Sequence, residues 1–171
     1  INDVLYLSKI EAGKFQLDET DVMLDSLRSN VASILYPKTK AKGLRLNVVT
    51  ENLPRHVRAD PTRLTQALLN YANNAVKFSD AGTVTIRSHV VDETAERVLL
   101  RFAVEDNGIG IAPEALGRLF GQFEQADSST TREYGGTGLG LAITKHLAQL
   151  MDGDAGVSSA LGQGSTFWFT C

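Results

Sequence analysis

The sequence predicts an α/β sandwich in which helices cover one face of a single sheet. Two observations support this prediction. Apolar residues recur every three or four positions in some segments and alternate with polar residues in others. The two kinds of segment are also interleaved along the chain. The 171 residues, of which 43% are hydrophobic and 22% charged, suit one globular domain.

Composition excludes several classes of protein. A net charge of −3 provides no basic surface for nucleic acid, so we expect no nucleic-acid partner. No apolar run approaches the roughly 20 residues that cross a bilayer. Cys171 is the only cysteine, which rules out an internal disulfide and fits a reducing, cytoplasmic location. The chain starts at Ile1 rather than at a methionine, and its first residues show no signal-peptide pattern. We therefore expect it to be a piece of a longer protein.

Two helices are predicted in the first quarter of the chain. Residues 1–13 resemble the end of a helix that terminates at Gly13. Asp21 is expected to cap a second helix, and Pro37 is expected to end or kink it. The apolar positions of that second helix step by three and four; they are Leu24, Leu27, Val31, Ile34 and Leu35.

The middle of the chain predicts three strands and one long helix. Leu44, Leu46 and Val48 alternate with polar residues, which indicates a strand. A helix begins at about Asp60, with Pro61 in its first position, and runs to Phe78. Alternation returns in residues 83–91 and 98–105 and predicts two further strands.

The last third combines helices, a long loop and two strands. A short helix is predicted from Pro113, where Phe120 and Phe123 would fix it to the core. Residues 124–137 are polar and aperiodic, which is typical of a functional or disordered loop. A helix from Gly138 to about Met151 and strands at residues 155–159 and 165–170 complete the prediction.

The helix from Asp60 to Phe78 has a polar stripe beside its apolar face. At about 100° per residue, Asn70, Asn74 and Lys77 lie within about 60° of one another. Carboxamide oxygens suit Mg²⁺, and an amine suits phosphate. The stripe could equally be a solvated polar face.

A short Gly-containing segment follows directly after the strand at residues 98–105. It reads Asp106-Asn107-Gly108-Ile109-Gly110, and its glycines allow a tight turn and a close approach of backbone to ligand. Asp106 could accept a hydrogen bond from an exocyclic amine such as that of adenine. An ordinary strand-to-helix turn would use the same residue types.

Four glycines lie within the seven residues Gly135–Leu141, at the start of a helix. Backbone N–H groups and the positive end of a helix dipole make such a segment an anion site. It lacks the lysine of a P-loop and does not match the dinucleotide-binding fingerprint, and it could instead be a hinge. Arg132 lies three residues earlier, where it could reach a terminal phosphate or simply face solvent.

The histidines give no sign of catalytic or metal chemistry. His56, His89 and His146 have no partners at a ligand or triad spacing, so we interpret all three as structural or solvated.

These segments together resemble the catalytic ATP-binding domain of sensor histidine kinases, of the hybrid-like type, within the wider GHKL or Bergerat-type fold. Asn70–Phe78 is similar to the N box, and Asp106–Gly110 to the first glycine box. The F box, second glycine box and last glycine box are similar to Phe120–Phe123, Gly135–Leu141 and Gly162–Phe167. Residues 7–14 resemble the end of the dimerisation hairpin and its linker, so the implied domains are 1–18 and 19–171.

The resemblance implies a two-layer sandwich, with a mixed, mainly antiparallel sheet of about five strands packed against about three helices and a long ATP lid. It implies Arg132 and Lys77 as catalytic residues and Asn74 as the Mg²⁺ ligand. The implied nucleotide-binding residues are Asn70, Asn74, Lys77, Phe78, Asp106, Gly108, Gly110, Ile111, Gly136, Thr137, Gly138, Leu139, Gly140 and Leu141. Residues 121–137 would form the lid.

The resemblance also implies a reaction and its partners. Hydrolysing members of the wider fold have a glutamate base where this chain has Asn70, which favours phosphoryl transfer from Mg·ATP to a histidine. That histidine would lie on a dimerisation segment mostly absent here, and a response-regulator receiver domain would be an indirect partner. The full-length protein would be a homodimer and this fragment a monomer. The alternatives are an ATP hydrolase of the same fold and an inactive nucleotide-binding module.

Overall fold

A computed structural model describes residues 16–110, 140–160 and 162–171, together with Ser8. Several predictions lie outside these residues: the helix over residues 1–13, the short helix from Pro113 and the loop at 124–137. The same holds for the predicted site residues Ile111, Arg132, Gly136, Thr137, Gly138 and Leu139.

The described elements are seven strands and three helices. In chain order they are β1 (Thr20–Met23), α1 (Leu24–Ala41), β2 (Arg45–Glu51), β3 (His56–Ala59), α2 (Pro61–Lys77), β4 (Thr83–Glu93), β5 (Val98–Asp106), α3 (Gly140–Leu150), β6 (Ala155–Ala160) and β7 (Gly164–Thr170). None of the three described helices combines the length and the apolar character that a membrane span requires.

The main sheet of the described chain has five strands in the order β2-β4-β5-β7-β6. Only the β2–β4 pair is parallel, and the other three pairs are antiparallel. The predicted sandwich with a mixed, mainly antiparallel five-stranded sheet is therefore confirmed. The parallel pair requires a crossover, which β3 and α2 supply between β2 and β4.

Alternation along the central strands directs their apolar side chains onto the helices. Ile86, Val104 and Phe167 occupy neighbouring positions across β4, β5 and β7, and all three are buried. Tyr71 of α2 is fully buried against this surface, with ring centroids 5.3 Å from Phe167 and 5.9 Å from Phe169. The core between α2 and the sheet thus rests on large aromatic contacts.

Helix α2 begins as the sequence predicts. The Asp60 side chain caps it by accepting a hydrogen bond from the Arg63 N–H, and Pro61 occupies the first turn. Phe78 follows the last helical residue, and its N–H donates to the Asn74 carbonyl at 3.0 Å. The polar stripe therefore occupies the C-terminal half of a helix whose two ends are well defined.

Two predictions for α1 are wrong, and one of the two alternatives for Pro37 is excluded. Asp21 does not cap it, because residues 20–23 form β1, which pairs antiparallel with β3 in a separate two-stranded sheet. Ile34 is 45% exposed and lies outside the buried stripe of α1. Pro37 does not end the helix, which continues to Ala41. The carbonyl of Ser33, which Pro37 leaves without an N–H donor, belongs to an exposed residue that water can reach.

Candidate nucleotide-binding site

The described site residues come from three neighbouring elements. Asn70, Asn74, Lys77 and Phe78 lie in the second half of α2 and directly after it. Asp106, Gly108 and Gly110 form the end of β5 and the turn that follows, and Gly140 and Leu141 begin α3. Because α2 packs against both β5 and α3, the fold brings these segments to one end of the sandwich.

The turn after β5 lies directly against the end of α2. A Cβ atom added to Gly108 would be only 2.1 Å from the Phe78 carbonyl oxygen. The Ile109 N–H donates to the same oxygen at 3.4 Å. Gly108 is therefore required by the packing of two backbones, and this packing places Phe78 beside the turn that carries Asp106.

Asp106 is a buried carboxylate with a defined orientation. Its side chain is almost inaccessible, and its Oδ1 accepts a hydrogen bond from the Gly108 N–H at 2.8 Å. Burial raises the pKa of Asp106 above its ordinary value, and backbone hydrogen bonds from Gly108 and Ser165 partly offset that rise. A buried acceptor of this kind suits a ligand that donates an N–H group.

The start of β7 and the residue two positions before it pack against the backbone of the Asp106 turn. A Cβ atom added to Gly164, whose φ is +92°, would lie 2.0 Å from the Asp106 carbonyl oxygen. The N–H of Gly162 donates to the Ile109 carbonyl at 2.9 Å. Both glycines belong to the segment that is similar to the last glycine box. Their contact with the Asp106 turn is visible only in the structure.

Asn70 connects α2 to α3. Its Nδ2 donates to the hydroxyl of Thr144 at 3.2 Å, and Thr144 is fully buried. This contact fixes the side-chain amide at the boundary of the two helices. Thr144 is not among the residues predicted from the sequence. The available signal was a hydroxyl residue directly after the apolar run from Leu141 to Ile143.

Lys42 is a second residue that sequence analysis missed. Its Nζ donates to the Val76 carbonyl at 2.6 Å and to the Lys77 carbonyl at 3.2 Å. An ammonium group at this position satisfies carbonyls that a helix C-terminus leaves without partners. No local pattern reveals the contact, because Lys42 lies more than thirty residues before its partners.

The predicted residues differ in their environments. Asn70, Asn74 and Phe78 are half-buried, whereas Lys77 is exposed. Leu141 is partly buried and packs against the hydrophobic core. It therefore stabilises the packing of α3 as well as lying near the site. The Ser79 hydroxyl is fully buried and has no hydrogen-bond partner among the described residues.

The donor set near the end of α2 fits a magnesium ion that binds together with a nucleotide. Within the described ranges, no three His, Cys, Asp or Glu side chains converge to hold an ion. The half-buried carboxamide of Asn74 offers one hard oxygen ligand. Mg²⁺ commonly binds through one or two protein oxygens, with phosphate oxygens and water as its other ligands.

This fold and site define a class of nucleotide-binding protein. Residues 59–171 match the family described as histidine kinase-, DNA gyrase B-, and HSP90-like ATPase. The chain belongs to this family.

Its relatives narrow the class further. The chain is 44% identical over 171 residues to the sensor protein GacS of Pseudomonas syringae pv. syringae, covering 99% of this chain and 19% of that protein. It is 43% identical to hybrid signal transduction histidine kinase B of Dictyostelium discoideum, covering 99% of this chain and 9% of that protein. The chain is thus an ATP-binding catalytic domain of the sensor histidine kinase type, and it spans under a fifth of these relatives.

Solved structures agree with this assignment. The crystal structure of full-length ShkA in complex with AMPPNP superposes with a TM-score of 0.85 at 38% identity. That alignment covers 99% of this chain and 34% of the ShkA chain.

Proposed function

We propose that this chain transfers the γ-phosphoryl group of Mg·ATP to a histidine on a separate dimerisation segment. The observation that supports transfer most directly is the environment of Asn70. An amide that donates to the buried Thr144 hydroxyl cannot take a proton from water. Hydrolysis would need a base at this position, whereas transfer mainly needs positioning and charge neutralisation.

In this proposal the Asp106 carboxylate accepts a hydrogen bond from the adenine amine. Its burial and its bond from Gly108 support the role, because the acceptor is oriented and shielded from water. Gly108 and Gly110 let the backbone lie close to the base, and Phe78 packs beside the base or sugar. Ile111 remains a sequence prediction for the same surface.

The phosphates would lie along the polar stripe of α2. Asn74 would offer its carboxamide oxygen to magnesium, and Asn70 and Lys77 would contact phosphate oxygens. A magnesium ion bound with the nucleotide would neutralise part of the phosphate charge. We predict that the backbone of Gly136–Leu141 contacts the phosphates. We also predict that the Arg132 guanidinium contacts the γ-phosphate.

Several wider features belong to the same proposal. Residues 1–18 would end a dimerisation hairpin, and residues 19–171 would form the catalytic domain. The whole protein would be a cytoplasmic homodimer that passes its phosphoryl group on to a receiver domain. The names of two relatives, a sensor protein and a hybrid signal transduction histidine kinase, support the signalling part of this proposal.

The test supplies the chain with a separate dimerisation segment that carries the acceptor histidine. With ATP labelled at the γ-phosphate and Mg²⁺, we expect acid-labile, base-stable label on that segment. The same segment with its histidine replaced by alanine is the control. AMPPNP binding without any label transfer would contradict the proposal. Steady release of phosphate without label transfer would favour an ATP hydrolase.

A further inference from the structure

Asp60 contacts two parts of the chain that lie far apart in sequence. Its Oδ1 accepts the Arg63 N–H at 3.2 Å, which caps α2. Its Oδ2 accepts the Asp18 N–H at 2.9 Å, across 42 positions of sequence. The residue is only 4% exposed, so its carboxylate is largely shielded from water and both hydrogen bonds are partly buried. We define the entry arm as residues 16–19.

Only one of these hydrogen bonds is needed to cap the helix. Serine, threonine or asparagine caps a helix about as well as aspartate, using one oxygen. The second carboxylate oxygen of Asp60 is therefore not needed for the cap, and it accepts the N–H of Asp18 in the entry arm. Asp18 lies outside β1, so its N–H has no role in the strand ladder that follows.

The entry arm continues into a rigid connection to the same helix. β1 pairs with β3 in the register Thr20↔Ala59 and Val22↔Val57, and β3 ends immediately before Asp60. The Leu24 N–H adds a bond to the Arg55 carbonyl at 3.3 Å. The entry arm, the β1–β3 pair and the first turn of α2 therefore form one continuous hydrogen-bonded unit.

The other end of α2 carries the nucleotide site. A helix of 17 residues spans about 25 Å, so Asp60 is far from the phosphates and cannot contact ATP directly. A rigid helix nevertheless links the direction of the entry arm to the positions of Asn70 and Asn74. The hydrogen bond to Asp60 therefore determines where the entry arm lies relative to the nucleotide-binding helix.

We propose that Asp60 is a positioning residue that fixes the entry arm to the nucleotide-binding helix. It thereby sets the direction from which a covalently joined acceptor segment reaches the γ-phosphate. This inference rests on the proposed phosphoryl transfer. It predicts that breaking the Asp18–Asp60 hydrogen bond impairs transfer without impairing ATP binding.

Two substitutions break the hydrogen bond from opposite sides. Asp18→Pro removes the N–H donor and leaves the Asp60 cap of α2 intact. Asp60→Ser retains one acceptor for the cap and removes the second oxygen. Asp18→Ala is the matched control, because it changes the exposed side chain at this position and keeps the N–H. Gln16→Pro controls for the presence of a proline in the entry arm.

Transfer is then measured in two formats. In the first, a histidine-bearing dimerisation segment is joined to residue 1; in the second, the same segment is a separate polypeptide. For Asp18→Pro and Asp60→Ser we expect kcat in the joined format to fall at least fivefold, with KM for ATP within twofold of the wild-type value. In the separate format both variants should match the wild type. Asp18→Ala and Gln16→Pro should match it in both formats.

Amide hydrogen exchange gives a direct readout of the bond itself. The Asp18 amide should be protected in the wild-type chain and should exchange rapidly in Asp60→Ser, while the Arg63 amide remains protected. An unprotected Asp18 amide in the wild-type chain would overturn the inference. Equal losses of transfer in both formats would also overturn it, as would full activity of both variants in the joined format.

The proposed function and the positioning role fail in different ways. If the wild-type chain labels the histidine in neither format, phosphoryl transfer itself is wrong, and the role of Asp60 in transfer is wrong with it. If the wild-type chain is active and the two variants are equally active when joined, only the positioning role is wrong.

Discussion

Gly108 lies against the end of α2 so closely that a Cβ atom would be 2.1 Å from the Phe78 carbonyl oxygen. This contact joins the turn that carries Asp106 to the helix that carries Asn70, Asn74 and Lys77. The relative position of these two parts of the site is therefore set by a contact between backbones, which any side chain at position 108 would disrupt.

We expect Gly108→Ala to weaken AMPPNP binding strongly and to lower the free energy of unfolding by about 1–3 kcal/mol, because two backbones must separate. Calorimetry and urea denaturation measure the two effects. Gly43→Ala is the control: φ at Gly43 is +70°, and no heavy atom lies within 4 Å of an added Cβ. That variant should lose roughly 1–2 kcal/mol of stability through backbone strain alone and keep its affinity. Similar affinity losses in both variants would contradict a specific role for Gly108.

Asp106→Asn should weaken ATP binding by roughly 5- to 150-fold. This corresponds to about 1–3 kcal/mol, the cost of leaving the buried adenine amine without its acceptor. The variant should remain folded, because the Asn carboxamide oxygen can still accept the Gly108 N–H. Calorimetric titration with AMPPNP provides the measurement. Asp92→Asn, at the far end of β4, should bind like the wild type. Wild-type affinity in Asp106→Asn would show that this carboxylate does not contact the base.

The raised pKa of Asp106 also predicts how stability depends on pH. Below its ordinary value of 3.8 the carboxyl is neutral in both folded and unfolded chains, so it causes no penalty. As the pH rises through the higher folded-state pKa, the buried group must ionise and the folded state is destabilised. Between pH 3.8 and the folded-state pKa, the free energy of unfolding of Asp106→Asn should therefore rise relative to that of the wild type. Paired urea denaturations between about pH 4 and about pH 7 test this; a constant difference would contradict it.

Thr144→Val should reduce AMPPNP affinity about two- to tenfold, because the Asn70 amide loses a buried acceptor of normal strength, about 0.5–1.5 kcal/mol. Thr39→Val is a matched control: Thr39 is equally buried, and its hydroxyl donates to the Tyr36 carbonyl within α1. That control should lose stability and keep its affinity. An affinity unaffected by Thr144→Val would indicate that Asn70 does not depend on Thr144.

Lys42→Met removes the ammonium group that binds the Val76 and Lys77 carbonyls. We expect the free energy of unfolding to fall by about 0.3–1 kcal/mol and nucleotide affinity to fall by up to about fivefold, since the end of α2 is less well fixed. Chemical denaturation and calorimetry measure these effects. Lys40→Met, on an exposed side chain two residues earlier, is the control. Equal effects of the two substitutions would point to general charge rather than to this contact.

The sequence predicts the elements that have a long, regular pattern or a strong terminal signal. Alternation over residues 83–91 and 98–105 predicts β4 and β5, and Asp60 with Pro61 predicts the start of α2. β1 and β3 are missed because four residues are too short for a period to be recognised. Asp21 suits a helix cap chemically, but burial of Val22 in β1 favours the strand.

The sequence by itself determines the fold class, the family and the residue types that a nucleotide site needs, since these depend on periodicity and on short local segments. Tertiary structure alone decides which of these residues are brought together. The contacts between Gly108 and Phe78, Asn70 and Thr144, and Asp18 and Asp60 each join positions at least thirty residues apart. The physical reason is that such contacts form only when separate elements pack against one another. Local sequence patterns do not specify which residues that packing brings together.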